Sequence, residues 1–327
     1  MFKYIIKKTA SWILVVFLAT NIAYLLAASF LDPKSNYAAR RPPLSADQID
    51  RILTPLNLSE NTSLFERWWT WLSGILFHWD WGKSPIGEEV IDQIGHRALV
   101  SAQLLLLATV LSVIIGVGLG VYTASRQYKM SDRFWQSASI VTMNVHVAVA
   151  SLLVVAGGLW INDIAGRRIV YVTGASSQNV HGFFPSLIDT AQHLILPTIS
   201  LVLISYAAYH MMQRALLLDN LNADYVRTAR AKGLTRGKAI RKHALRTSII
   251  PVATSVAFSV PGIFTGAIMT EQIFAWNGMG QYFIETISRN DVHGTTAVAA
   301  FGAVMVAISA VLADIVVVAL DPRVRVS

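Results

Sequence analysis

Gly82-Lys83-Ser84 has the residue types that close a phosphate-binding loop. Such a loop cradles phosphates on backbone N–H groups, with the lysine as counter-charge and the hydroxyl on magnesium. The motif needs a glycine five residues before Gly82, and Phe77 stands there, so that chemistry is set aside. The eight histidines show no HExxH or other metal-ligand spacing, and no metal site is assigned. With no cysteine there is no thiolate nucleophile, disulfide framework or cysteine metal site. Asn57-Leu58-Ser59 and Asn61-Thr62-Ser63 fit a glycosylation pattern that has meaning only in a eukaryotic secretory pathway. What remains is a small set of polar groups in apolar surroundings: His146, His210, Glu271 and Asp314. A polar side chain at membrane depth faces protein or water. For the histidines helix packing is the first reading and lining of a watery path the second. Glu271 fits a gate and a helix cap equally, while Asp314 reads as structural, paired with a basic group near the cytoplasmic boundary.

The elements that must hold these groups are membrane spans. Apolar residues make up 54% of the 327 residues and charged ones 14%, against about 25% charged in soluble domains. The mean hydropathy is +0.50. Apolar blocks at 9–30, 98–125, 134–160, 192–216, 247–273 and 294–320 are each long enough to cross a bilayer, which takes about 20 residues. The first follows Lys3, Lys7 and Lys8, but it is too long for a signal-peptide core and is read as a retained span. The expected fold is therefore all-α and polytopic, with about six transmembrane helices.

Lysine and arginine set the orientation. Three lie at the N-terminus, three in the loop 126–133 (Arg126, Lys129, Arg133) and nine in 214–246. Arg323 and Arg325 follow the last span, whereas 161–191 has only Arg167 and Arg168, and 274–293 only Arg289. Both termini are expected in the cytoplasm. This placement assigns the net charge of +8 to topology and leaves no nucleic-acid surface. The long outward segment 31–97 carries seven basic and nine acidic residues, and five of the nine tryptophans fall at 68–81. It reads equally as an interfacial helix on the outer membrane surface and as a packed cap.

The segment between the fourth and fifth spans is more than a topological signal. Asn222 is expected to cap a short helix with Asp224 at its positive end. Tyr225, Val226 and Ala229 make a small apolar ridge, Gly233 fits the position after the helix end, and Thr235 can cap a second helix. This helix, its glycine, and the later His243-Ala244-Leu245-Arg246 and Pro251 resemble the EAA loop of ABC-importer permeases. Asp224-Tyr225-Val226-Arg227-Thr228-Ala229-Arg230-Ala231-Lys232-Gly233-Leu234 is similar to the oligopeptide, dipeptide and nickel branch, in its B-type permease. His193 to Pro197, Gly266, Glu271, Phe274, Trp276, Gly278, Met279 and Gly280, and Asp314 followed by Asp321-Pro322-Arg323 extend the resemblance over most of the chain.

The resemblance implies a type I importer permease: an N-terminal extra span (1–30), an extracytoplasmic loop (31–97), a five-helix core (98–320) with the EAA loop at 217–249, and a cytoplasmic tail (321–327). It implies a bacterial plasma-membrane subunit that works with a second permease, two cytoplasmic ATPase subunits and an extracytoplasmic substrate-binding protein. Peptides would be moved by alternating access, with ATP and magnesium bound on the partners and no cofactor or catalytic residue here. Asp224, Tyr225, Arg227, Thr228, Ala229, Arg230, Ala231, Lys232 and Gly233 would couple to the ATPase. Glu271, Trp276, Gly278, His146 and His210 are the pore or gate candidates.

The sequence departs from the family pattern twice. Asn144 to Ala148 lacks the proline and aromatic of relatives, so the third span is expected to be straighter. Trp276-Asn277-Gly278 replaces Trp-Pro-Gly, and Asn tolerates turn conformations. Gly116 and Gly120 permit a close helix approach, a packing feature that fits a contact between two permeases and is not a site. A nickel or other small-solute importer is the nearest alternative cargo reading. A proton-coupled secondary transporter would use Glu271 or Asp314, but the chain shows no internal repeat. An intramembrane hydrolase built on Asn144 and His146 has no nucleophile motif.

Overall fold

A computed structural model describes residues 2–37, 42, 44–177, 180–265 and 267–320, leaving Gly266 and the ending 321–327 outside the described residues. The chain is all-α, and no strand occurs among the described residues beyond an isolated antiparallel bridge, Lys83 to Glu89. Five helices are long and apolar enough to cross a membrane: Lys8–Phe30, Val90–Ser125, Val147–Ala165, Phe183–Leu221 and Val292–Val316. Arg236–Phe258 and Pro261–Ile273 taken together count as a sixth. The chain is a multi-pass membrane protein.

The third span is not one rod. α5 (Met130–Met143) ends before α6 (Val147–Ala165) begins. Asn144 turns its amide back onto Ile140 O at 2.7 Å, and His146 Nδ1 accepts the Ala148 N–H at 3.2 Å. The expected straighter span is thus corrected: two polar side chains that satisfy freed backbone groups break the helix without a proline. The fourth span is longer than its apolar block, because α7 runs from Phe183 to Leu221 straight through Pro197.

The described residues fall into two compact units. The first holds residues up to 102 with 264–272 and 277–308. In it, α1 (Phe2–Phe30) is followed by α2 (Ala46–Leu53) and α3 (Leu64–His78). Ser45 and Gln48 form a reciprocal capping box on α2, and Ser63 Oγ accepts the Glu66 N–H to start α3. Tyr24, Tyr37, Leu53, Leu58, Trp71 and Leu72 bury one another. The false phosphate loop is spent locally: Lys83 Nζ pairs with Glu89 Oε1 at 2.7 Å, and Ser84 Oγ accepts the Glu88 N–H.

The second unit, 103–263 with 273–276 and residues from 309 on, holds most of the spans. The glycines of α4 (Val90–Ser125) meet α7 of the same chain. A Cβ on Gly116 would stand 2.6 Å from the Tyr206 carbonyl oxygen, and one on Gly120 would stand 2.8 Å from Gln213 Cβ. The close contact is therefore internal, and that face is not free for a second permease. Beside it, Asp132 at the start of α5 holds Arg214 of α7 through two bonds, Oδ1 to Nε at 2.8 Å and Oδ2 to Nη2 at 3.0 Å. Gln136 Nε2 and the Tyr128 N–H also donate to the Asp132 carboxylate. Asp132 is 1% exposed and Arg214 15%. Asp132→Ala is expected to cost about 3–5 kcal/mol, because it leaves a guanidinium unpaired at a largely buried place. Loss of the folded chain in detergent, read by size-exclusion chromatography, checks this; an unchanged profile would show the pair to be dispensable.

Candidate functional site

Two sites emerge, one on the basic loop and one around Glu271. The loop is short, ordered and helical. α7 ends with Asn222 as its last cap, so Asn222 does not begin the next helix; Ala223 does, with no side-chain cap. α8 (Asp224–Ala231) places Asp224 in its first turn, where a carboxylate complements the helix dipole. Lys232 closes α8, and Gly233 follows at φ +91°. The Gly233 N–H reaches Arg230 O at 3.0 Å and the Leu234 N–H reaches back to Ala229 O at 3.2 Å, which satisfies the orphan carbonyls of the helix end. Thr235 stands at the start of α9 (Arg236–Ala239) but makes no side-chain cap.

Only one side of α8 is free. Val226 and Ala229 are buried with Ala124, Leu217, Ala239, Ile240 and Ala244, and Leu234 packs on the same cluster. Tyr225, expected in the apolar ridge, is exposed instead, and its hydroxyl donates to Asn220 Oδ1. Asp224, Tyr225, Arg227, Thr228, Arg230, Ala231, Lys232 and Gly233 face outward. Beyond α9 one π-turn, Ile240–Ala244, leads into α10 (Leu245–Phe258). The loop thus presents a fixed basic surface on a helix whose back belongs to the chain's own core.

The second site is a buried carboxylate inside a turn. After α11 (Val260–Thr265), Glu271 lies in α12 (Ile268–Ile273) and is fully buried. Ser101 of α4 donates to Glu271 Oε1 at 2.6 Å, the Ala267 N–H to Oε1 at 3.3 Å, and the Gln281 N–H to Oε2 at 3.0 Å. Ser101 Oγ in turn accepts the Met279 N–H at 2.8 Å. Gln281 is in the first turn of α13 (Met279–Ser288), so Glu271 caps that helix from a distance. A Cβ on Gly278 would meet Ser101 Oγ and stand 2.7 Å from the Glu271 carboxyl carbon; one on Gly280 would stand 2.9 Å from the Ile268 backbone. Of the two readings of Glu271, this geometry is that of a cap. The left-handed residue nearby is Ala275, φ +49°, rather than Asn277. Trp276 is fully buried.

The histidines part company. His210 is completely buried on α7, with Nε2 2.9 Å from Thr123 Oγ1 and Nδ1 2.6 Å from Ser139 Oγ. His146 is exposed and caps α6. Sequence reasoning passed over Ser101, Asp132 and Asp291. Asp291 lies outside the spans, and burial pushes its carboxyl up to about 6 although the Gly294 N–H donates to it at 2.9 Å. Ser101 and Asp132 carried a signal, being polar residues at the edges of apolar blocks.

The described residues combine apolar, membrane-crossing helices with a short helix on a loop that turns a basic face outward. The sequence model of the family described as "Binding-protein-dependent transport system inner membrane component" matches residues 116–326. The chain belongs to that family, as the permease component of an ABC importer. It is 35% identical over 328 residues to the oligopeptide transport system permease protein OppB of Mycobacterium tuberculosis, covering 100% of both chains. It is 28% identical over 328 residues to the oligopeptide transport system permease protein AppB of Bacillus subtilis, over 99% of this chain and 100% of that one. It is 28% identical over 325 residues to the dipeptide transport system permease protein DppB of Escherichia coli, over 90% of each.

Proposed function

We propose that this permease passes oligo- or dipeptides from an extracytoplasmic binding protein into the cytoplasm, with α8 as the seat of a cytoplasmic ATPase. The observation that carries the coupling role is α8 itself, basic outside, apolar inside and closed by a left-handed glycine. The cargo reading rests on relatives named for oligopeptide and dipeptide transport. ATP and magnesium are held by two ATPase subunits, a second permease completes the pathway, and both termini lie in the cytoplasm with α8. Glu271 fixes the turn leading into α13, and Trp276 and Gly278 belong to that same turn. His146 and His210 act on the shape of the pathway through α6 and α7.

Affinity purification from the native membrane tests this directly. Two ATPase chains and a second permease are expected to accompany the protein; recovery of a lone, transport-active chain would overturn the reading. Arg227→Glu with Arg230→Glu is expected to strip the ATPases from the complex while the permease stays folded, since both side chains point outward. Normal assembly of that double variant would reduce the basic residues to topology.

A further inference from the structure

The outward segment holds a helix with an aromatic free face, and the contacts of its other face fix its depth. Trp71 of α3 stacks on Tyr24 of α1 with ring centroids 4.3 Å apart. Trp68 Nε1 donates to Asn21 Oδ1 at 2.8 Å, while the Asn21 amide is tied to Phe17 O. α1 ends at Phe30. At a rise of 1.5 Å per residue, Asn21 and Tyr24 lie about 13 and 9 Å along the helix from that end. The apolar stretch Lys8–Phe30 is about 34 Å long at the same rise, little more than a hydrocarbon core of ~30 Å. Tyr24 also faces His293 at the start of the Val292–Val316 span, with ring centroids 6.4 Å apart, so the two indoles meet α1 near the edge of the bilayer.

The opposite face of α3 presents Phe65, Trp69, Leu76 and Phe77, with Trp79 just beyond the helix, all exposed. On α1 the side chains of Phe17, Ile22, Leu26 and Phe30 are exposed as well. The aromatic face thus shares its depth with a surface that belongs to lipid. We propose that α3 is an interfacial helix packed on α1 and embedded in the leaflet at the Phe30 end, the outer leaflet in the topology given above. Phe65, Trp69, Phe77 and Trp79 rest against lipid near the glycerol backbone and upper acyl chains. Indole rings favour that layer because they bury apolar area while keeping an N–H near water, and the phenyl rings of Phe65 and Phe77 add apolar area beside them. This docks the outward segment on the membrane independently of the cargo.

The absence of cysteine makes the test clean. Phe65→Cys and Phe77→Cys, each labelled with a small fluorophore, are placed in the assembled transporter in vesicles of phosphatidylcholine and phosphatidylglycerol, with partner chains free of reactive thiols. Both sites are exposed, so the label displaces no core. Asp47→Cys, at an exposed position of α2, serves as the aqueous reference. The expected result is quenching several-fold stronger by lipid carrying a nitroxide high on its acyl chain than by aqueous iodide, the reverse of the Asp47 site. Dominant iodide quenching would make α3 a water-facing cap. Insensitivity to both quenchers would place the face against another subunit. Iodide quenching lost only when binding protein is added would make it a protein dock. Each of these three overturns the proposal.

Discussion

Gly233→Val is expected to abolish most peptide uptake in proteoliposomes while the permease remains folded and inserted. The backbone at this position is left-handed, φ +91°, and nothing lies within 4 Å of where a Cβ would stand. The penalty is thus one of conformation rather than space. Forcing a β-branched residue into that region costs roughly 1–3 kcal/mol, which lowers the population of the native loop geometry roughly five- to 150-fold. α8 and α9 then lose their fixed angle, and ATP hydrolysis runs on without transport. Gly233→Asn is the control, because asparagine adopts left-handed geometry far more readily. Uptake unchanged in the valine variant, measured beside ATPase activity, would remove the coupling role from this turn.

Glu271→Ala should lower the thermal unfolding midpoint of the purified complex markedly. The substitution leaves Ser101 Oγ, the Gln281 N–H and the Ala267 N–H facing an apolar gap. Each buried group without a partner costs about 1–3 kcal/mol, so the loss is on the order of 3 kcal/mol or more before the missing volume is counted. Glu271→Gln keeps the shape and one acceptor, and is expected to fall between the two. A side chain that served only as a gate would give another pattern: uptake altered, midpoint unchanged. Calorimetry and uptake on the same three proteins separate the possibilities.

How much of this was legible beforehand follows from the kind of signal each element left. Six long apolar blocks are a strong signal, and helices lie over all of them, with the third and fifth blocks each broken into shorter helices. Their ends were harder. α7 starts at Phe183, well before the apolar block, because polar Asp189 and His193 are satisfied within the protein rather than excluded from it. The break before α6 was missed because it comes from side chains bonding their own backbone at Asn144 and His146, which no hydropathy pattern registers. Gly233 could be read outright, since glycine after a basic alanine-rich helix has one common geometric use. Ser101 could not be tied to Glu271, because the two are 170 residues apart and only folding brings them together. Arg214 was counted among the charges that set orientation, yet it is spent on Asp132.

The cluster beneath α8 has a mechanical meaning. Val226 and Ala229 are seated on Ala124 near the end of α4 and on Leu217 near the end of α7, with Ile240 and Ala244 closing the other side. Close-packed side chains are nearly incompressible, so this bearing has little give. A displacement imposed on α8 is handed to two spans at once as motion, not absorbed as strain. On the coupling proposed above, a push on α8 reaches the ends of α4 and α7 and the turn leading into α10 together, so the loop acts as one rigid lever on three helices.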